Sequence, residues 1–148
     1  MKPFSWPVRV YYEDTDTGGV VYYANYLKFF ERARTEWLRS FGLNQDKLAR
    51  EEGLIFVVRR ALLDFVRPAH LDDLLGVTVE PLKFARVYVE LAQEARRGTE
   101  LLARAEVRVA CLDKNDFRPM RIPRVLRDIA DLVQKKTGAA RSARLAHE

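Results

Sequence analysis

At 148 residues, with 26 basic and 21 acidic side chains and a net charge of +5, the chain is sized for a single domain; a domain this long buries about 70% of the surface its unfolded form exposes. That charge is a mild attraction for phosphates, with no commitment to nucleic acid. The single Cys111 excludes an internal disulfide, the first residues (MKPFSWPVRVYYED) carry no apolar leader core, and no run of about 18 apolar residues occurs, so a cytoplasmic chain without a transmembrane segment is expected, free to visit a membrane surface.

In chain order, residues 8 to 13 alternate, with Val8, Val10 and Tyr12 opposite Arg9, Tyr11 and Glu13, the pattern of a half-buried strand. An acidic turn follows, in which Asp14 and Asp16 alternate with Thr15 and Thr17 and Gly18-Gly19 allows positive φ and a close approach to a ligand. Tyr26, Phe29, Phe30, Ala33, Trp37 and Phe41 then fall on one stripe, predicting a helix from about residue 24 to 41 with Asn25 as N-cap and Gly42 as its left-handed stop.

This arrangement sets a carboxylate beside the free N–H groups and positive dipole end of a helix start, which pairs a base or nucleophile with an oxyanion stabiliser. Acids ahead of a helix also serve simply as caps, and spacing alone does not separate the two readings. A calcium loop fits worse: D-x-D-x-x-G matches, but Gly18 and Asn25 stand where a ligand and a bidentate Glu are required, so no metal is expected.

Leu43 to Gly53 reads as a short polar helix closed by glycine. Ile55 to Val66 is apolar in both alternating sets, as in a strand covered on both faces. Pro68 ends it, and His70 follows in a turn beside Asp72 and Asp73, without a Ser or Cys partner. Leu74 to Leu82, Phe84 to Ala95 and Leu101 to Leu112 alternate as antiparallel strands with one wet face, Cys111 among the core positions of the last. Arg96 to Glu100 and Asp113 to Asp116 are the short links. Val125, Leu126, Ile129, Leu132 and Val133 line a second amphipathic helix up to Gly138, giving one domain over 1–138 and a frayed tail over 139–148. Periodicity thus gives an α+β layout, one long antiparallel sheet with an apolar helix against it.

The residues also carry a resemblance. Thr15-Asp16, Gly19, Val20-Val21, Tyr22 and Asn25-Tyr26 resemble the signature of the 4-hydroxybenzoyl-CoA thioesterase family of hotdog-fold proteins. Within it, the chain is most similar to the acyl-CoA thioesterases encoded with the Tol-Pal system, whose pattern continues through Glu31 to Arg34, residues 63 to 73, Asp113-Lys114, Arg118-Pro119 and Arg121 to Pro123. That group commonly carries His where this chain has Tyr23, while the 4-hydroxybenzoyl-CoA enzyme has Tyr there.

The resemblance implies a hotdog fold, its sheet wrapped around the central helix, and hydrolysis of an acyl-CoA or another acyl-phosphopantetheine thioester without metal or cofactor. Asp16 matches the catalytic acid, as nucleophile or as general base on water, and the Tyr23 backbone N–H matches the oxyanion donor. Asn25 is a helix cap or a substrate contact; Lys83 and Arg86 lie where basic residues meet the CoA nucleotide, or on a solvated hairpin. A homodimer paired into a homotetramer is implied as well. The alternative is a non-catalytic partner holding an acyl carrier protein or phospholipid-synthesis enzymes at the membrane. A hotdog dehydratase would want a His beside its acid, and His70 and His147 both stand outside the 14–26 stretch.

Overall fold

The computed structural model describes residues 3–133. Strands β1 (Phe4–Arg9), β2 (Leu54–Phe65), β3 (Leu74–Phe84), β4 (Tyr88–Arg97) and β5 (Glu100–Asp113) form one antiparallel sheet in the order β1-β3-β4-β5-β2. Helix α1 (Asn25–Arg39) packs on its apolar face, α2 (Gln45–Glu52) leads into β2, and residues 124–133 are helical and are called α3.

The stripe read from spacing is the buried face of α1: Tyr26, Phe29, Phe30, Ala33 and Trp37 meet Leu75, Val77 and Val79 of β3 and Val89 and Leu91 of β4 in one core. Each large side chain buried there contributes about 1.5–3 kcal/mol. Gly42 stops the helix as expected. At φ +82° it donates to the Arg39 carbonyl (2.9 Å) while Leu43 donates to Leu38 (3.1 Å), a Schellman pair that satisfies two terminal carbonyls. Gln93, on the inner face of β4, is a buried polar group whose amide donates to the Phe30 and Thr78 carbonyls, which offsets its desolvation.

Several expectations are corrected. The first strand is Phe4–Arg9 and not 8–13: the chain leaves the ladder where the Asp14 carboxylate captures the Tyr11 N–H (2.9 Å), winding Tyr12–Asp14 into a 3-10 turn with Tyr12 82% exposed. Asn25 is not the N-cap. Ala24 holds that position in helical geometry, and Asn25 is the first helical residue. Val87, expected within a strand, lies in the turn between β3 and β4. On α3, Leu126 is buried but Val125 and Leu132 are exposed. The strand expected to be covered on both faces, β2, is instead a sheet edge with Val58, Leu62 and Phe65 exposed, because none of the described residues lies over its second face. Gly138 and the tail over 139–148 lie outside the described residues.

Candidate active site

Between β1 and α1 the chain doubles back on itself. Thr15 bridges Val21, the Asp16 N–H donates to the Val20 carbonyl (2.9 Å), and Gly19 donates to the Asp16 carbonyl (3.1 Å), with Gly19 at φ +77° closing the turn. This small loop is fastened to the segment after β2: the Val21 N–H donates to Ala69, and Val20 bridges His70. The Ala69 N–H in turn donates to the Tyr26 hydroxyl (3.2 Å), whose pKa burial raises, so a neutral phenol ties the first turn of α1 to the same segment.

The two acids separate in role. Asp14 is buried; its carboxylate faces inward to the Tyr11 N–H, and its carbonyl accepts from both the Tyr22 N–H (3.0 Å) and the Asn25 side-chain amide (2.8 Å). Asp16 is exposed. One of its oxygens, Oδ1, accepts the Gly18 N–H at 2.8 Å, which orients the carboxylate and leaves Oδ2 without a protein donor among the described residues. A Cβ at position 18 would come within 3.2 Å of that oriented oxygen, so the absence of a side chain there keeps the carboxylate in place.

The helix start uses its donors unevenly. Asn25, Tyr26 and Leu27 make tight bonds to the carbonyls of Tyr22, Tyr23 and Ala24 (2.8, 3.3 and 3.2 Å), which satisfies N–H groups an ordinary α-helix leaves free. The unpaired donors move back one turn. Among the described residues the Tyr23 and Ala24 N–H groups have no acceptor, and they lie immediately after the residues paired to the acidic loop. Around them stands an aromatic platform: Tyr23 packs against Tyr22 and Phe65 at ring separations of 4.8 and 6.0 Å, and Phe65 against Tyr26 at 5.6 Å.

The remaining candidates lie elsewhere. Lys83, near the end of β3, places its ammonium 5.5 Å over the Tyr88 ring, whereas Arg86, in the following turn, lines a cleft with Arg121, Arg124 and Arg127. The Ile122 N–H donates to the Arg86 carbonyl (2.9 Å) and closes this grouping. The Arg127 Nε is buried with no partner among the described residues. Arg121, Arg124 and Arg127 were not singled out as contacts from sequence, although their three-residue spacing was a usable signal. His70 comes closer to the 14–26 loop than its position in the sequence implies, through the Val20 bridge, but its ring lies toward Arg97 (3.4 Å) and Asp73 (3.9 Å). Burial pushes the Asp73 carboxyl up, but the His70 N–H and the Arg97 guanidinium outweigh it and hold it below its ordinary value. No three His, Cys, Asp or Glu side chains converge on a metal position among the described residues.

The sequence profile of the thioesterase-like superfamily matches residues 10–130. The chain belongs to that superfamily. Its relatives within the superfamily are named thioesterases and thioester hydrolases, and the chain is a thioester hydrolase. The chain is 48% identical over 121 residues to the acyl-CoA thioesterase YbgC of Haemophilus influenzae, covering 82% of this chain and 89% of that one. Among solved structures, a probable thioesterase from Bartonella henselae superimposes with a TM-score of 0.79 at 38% identity over 82% of this chain and 100% of the other. A 1,4-dihydroxy-2-naphthoyl-CoA thioesterase from Synechocystis does so at 0.78 and 26%, covering 85% and 93%. The long antiparallel sheet packed on α1 is therefore the hotdog fold that the superfamily shares. No helix among the described residues is long and apolar enough to cross a membrane.

Proposed function

We propose that this thioesterase hydrolyses acyl-CoA, or an acyl group on another phosphopantetheine carrier, to a free acid and a thiol at the loop and helix start just described. The observation that carries the reading is the pairing of an oriented, exposed carboxylate on Asp16 with the unpaired Tyr23 N–H of the turn that opens α1. A thioester carbonyl seated between them meets an oxygen nucleophile on one side and an amide donor on the other.

Two routes use this geometry. As general base, Asp16 takes a proton from water, and the hydroxide adds to the carbonyl carbon. The oxyanion rests on the Tyr23 N–H until the C–S bond breaks, and the departing thiolate recovers the proton from Asp16. As nucleophile, the Asp16 oxygen itself adds, expels the thiolate and leaves a mixed anhydride that water cleaves. Label from ¹⁸O-water found in Asp16 after a single turnover establishes the anhydride route with water attacking the Asp16 carboxyl carbon, because a general base exchanges none of its oxygens. The Tyr23 ring stands outside the chemistry in both. Asn25 positions the loop through Asp14, and its Oδ1, which has no partner among the described residues, is the atom offered to substrate.

The nucleotide phosphates fit the cleft of Arg86 better than Lys83, because Arg86, Arg121, Arg124 and Arg127 gather there and outnumber the lining acids Asp128 and Asp131, whereas the Lys83 ammonium lies over the Tyr88 ring. The exposed apolar edge of β2 supports a homodimer, paired further into a tetramer, and the reduced, buried Cys111 suits the cytoplasm. An acyl carrier protein is a natural second donor of acyl groups to such a site. A panel of short, branched, long and aromatic acyl-CoAs with free-thiol detection tests the reading. Turnover that disappears in Asp16→Asn is expected; acyl-CoA bound but never cleaved by the parent chain rejects hydrolysis and favours the scaffold alternative.

A further inference from the structure

Midway along α1 the fold holds a cation that it does not neutralise. Arg34 is partly buried and takes part in no ion pair among the described residues. Its one side-chain hydrogen bond among the described residues runs from Nη1 to the Gln93 Oε1 at 3.0 Å. Gln93 cannot swing away to relax this contact, because its Nε2 is held by the Phe30 and Thr78 carbonyls at 3.0 and 3.3 Å. A neutral amide oxygen is a weak counterpart for a guanidinium, whose fork of five N–H donors matches a carboxylate. Burial draws the Arg34 pKa down against a smaller opposing pull from Glu31, the signature of a cation short of water. Glu31 itself is exposed and accepts from the Thr35 hydroxyl.

Arg34 opens onto a cavity of about 150 Å³ whose walls include Trp37, Phe56, Val89, Leu91 and Leu126, with Thr35, Gln45 and the Glu31 carboxylate, itself bonded to the Thr35 hydroxyl, on the polar side. An apolar cavity of about this volume holds a benzene-sized molecule. Here one wall carries charge. We propose that this cavity binds a small monocarboxylate, its carboxylate on the free guanidinium donors of Arg34 and its hydrocarbon among Trp37, Phe56 and Leu126.

The site is separate from the helix start. Arg34 lies about 14 Å along the axis from Asn25 at 1.5 Å per residue, and none of Asp16, Tyr23 and Asn25 lines the cavity. The inference needs only the cavity and its cation, so it stands or falls independently of acyl-CoA hydrolysis.

Calorimetric titration of the purified chain with benzoate and with its neutral isostere benzamide tests it. Benzoate is expected to bind at one site per chain, at least tenfold tighter than benzamide. Arg34→Met removes that preference, Arg34→Lys keeps part of it, and Asp16→Asn leaves it unchanged. In the parent chain, saturating benzoate shows nuclear Overhauser contacts to the Trp37 indole, a readout independent of any variant's folding. Equal affinity for the two probes, benzoate binding undiminished in Arg34→Met, loss of binding in Asp16→Asn, or no contact to Trp37 overturns the proposal.

Discussion

The Asn25 side-chain amide donates to the Asp14 carbonyl at 2.8 Å across eleven residues, and this bond joins the first turn of α1 to the loop that carries Asp16. The same carbonyl accepts the Tyr22 N–H, so the contact closes a ring from the acidic loop through Tyr22 and back to the helix.

Asn25→Ala opens that ring. The Asp14 carbonyl keeps its bond from Tyr22, so the loss is one net hydrogen bond, about 1 kcal/mol in a denaturant titration. The loop loses its tether to the Tyr23 turn, and kcat is expected to fall about tenfold while KM changes little. Unchanged kcat in a variant that shows the stability loss would mean that the tether positions nothing catalytic.

The neighbouring acids are expected to give opposite outcomes. Asp16→Asn leaves an exposed amide in place of an exposed carboxylate, so stability stays within about 0.5 kcal/mol while thioester hydrolysis drops at least a hundredfold. Asp14→Asn places an amide in a buried site where the carboxylate accepts the Tyr11 N–H, and leaves NH₂ donors unmatched. It costs about 1–3 kcal/mol and retains most of kcat. Chemical denaturation and thiol release measured on both proteins decide the assignment.

Which of the two acids would do chemistry was legible only through the resemblance at Thr15-Asp16; the burial of Asp14 was not legible in the sequence. The stripe of α1 was, because burial imposes its own period, and Gly42 was, because a left-handed stop selects glycine. The proposed catalytic loop was recognisable from Thr15-Asp16 to Asn25-Tyr26 as a motif, but which acid turns inward depends on the Tyr11 N–H that Asp14 captures, and that capture also cut short the strand expected over 8–13. Arg86 meets Arg121 only through the Ile122 bond, a contact between distant segments that no local pattern records. Alternation likewise could not tell a strand covered by its own chain from one left open: β2 reads apolar on both faces, and the described residues cover one.

The arginine cleft should act on binding and not on chemistry. Arg86→Ala and Arg121→Ala are expected to raise KM for acyl-CoA several-fold each with little change in kcat, and the effect should shrink at high salt as screening weakens phosphate contacts. Lys83→Ala, outside the cleft, should leave KM unchanged. A larger KM effect for Lys83 than for Arg86 would relocate the nucleotide.

Burial pushes the Cys111 thiol from 9.0 up to about 12. At pH 8 it is protonated in the folded chain and closed to solvent, so alkylation by iodoacetamide should proceed only through unfolding, accelerating in step with added denaturant. The raised folded-state pKa also fixes a sign: the thiol's contribution to stability is complete below about pH 9 and declines as pH rises toward 12, because the unfolded chain releases its proton first. Cys111→Ala should flatten that part of the alkaline stability profile. A parent thiol that alkylates at the rate of a free peptide at pH 8 would contradict its burial.

The edge of β2 leads to the last expectation. Val58, Leu62 and Phe65 are 44%, 53% and 50% exposed on an edge strand whose backbone has no further partner in the sheet among the described residues. Long apolar edges left open invite pairing with another chain, and Phe65 also touches Tyr23 beside the unpaired helix-start donors. A second subunit on this edge would therefore bring its own surface up to the site. Leu62→Arg should convert the assembly to monomers at micromolar concentration in sedimentation velocity, and hydrolysis should fall with the dimer fraction. Restoring activity by raising protein concentration would tie catalysis to pairing, whereas a fully active monomer would show that one chain holds the whole site.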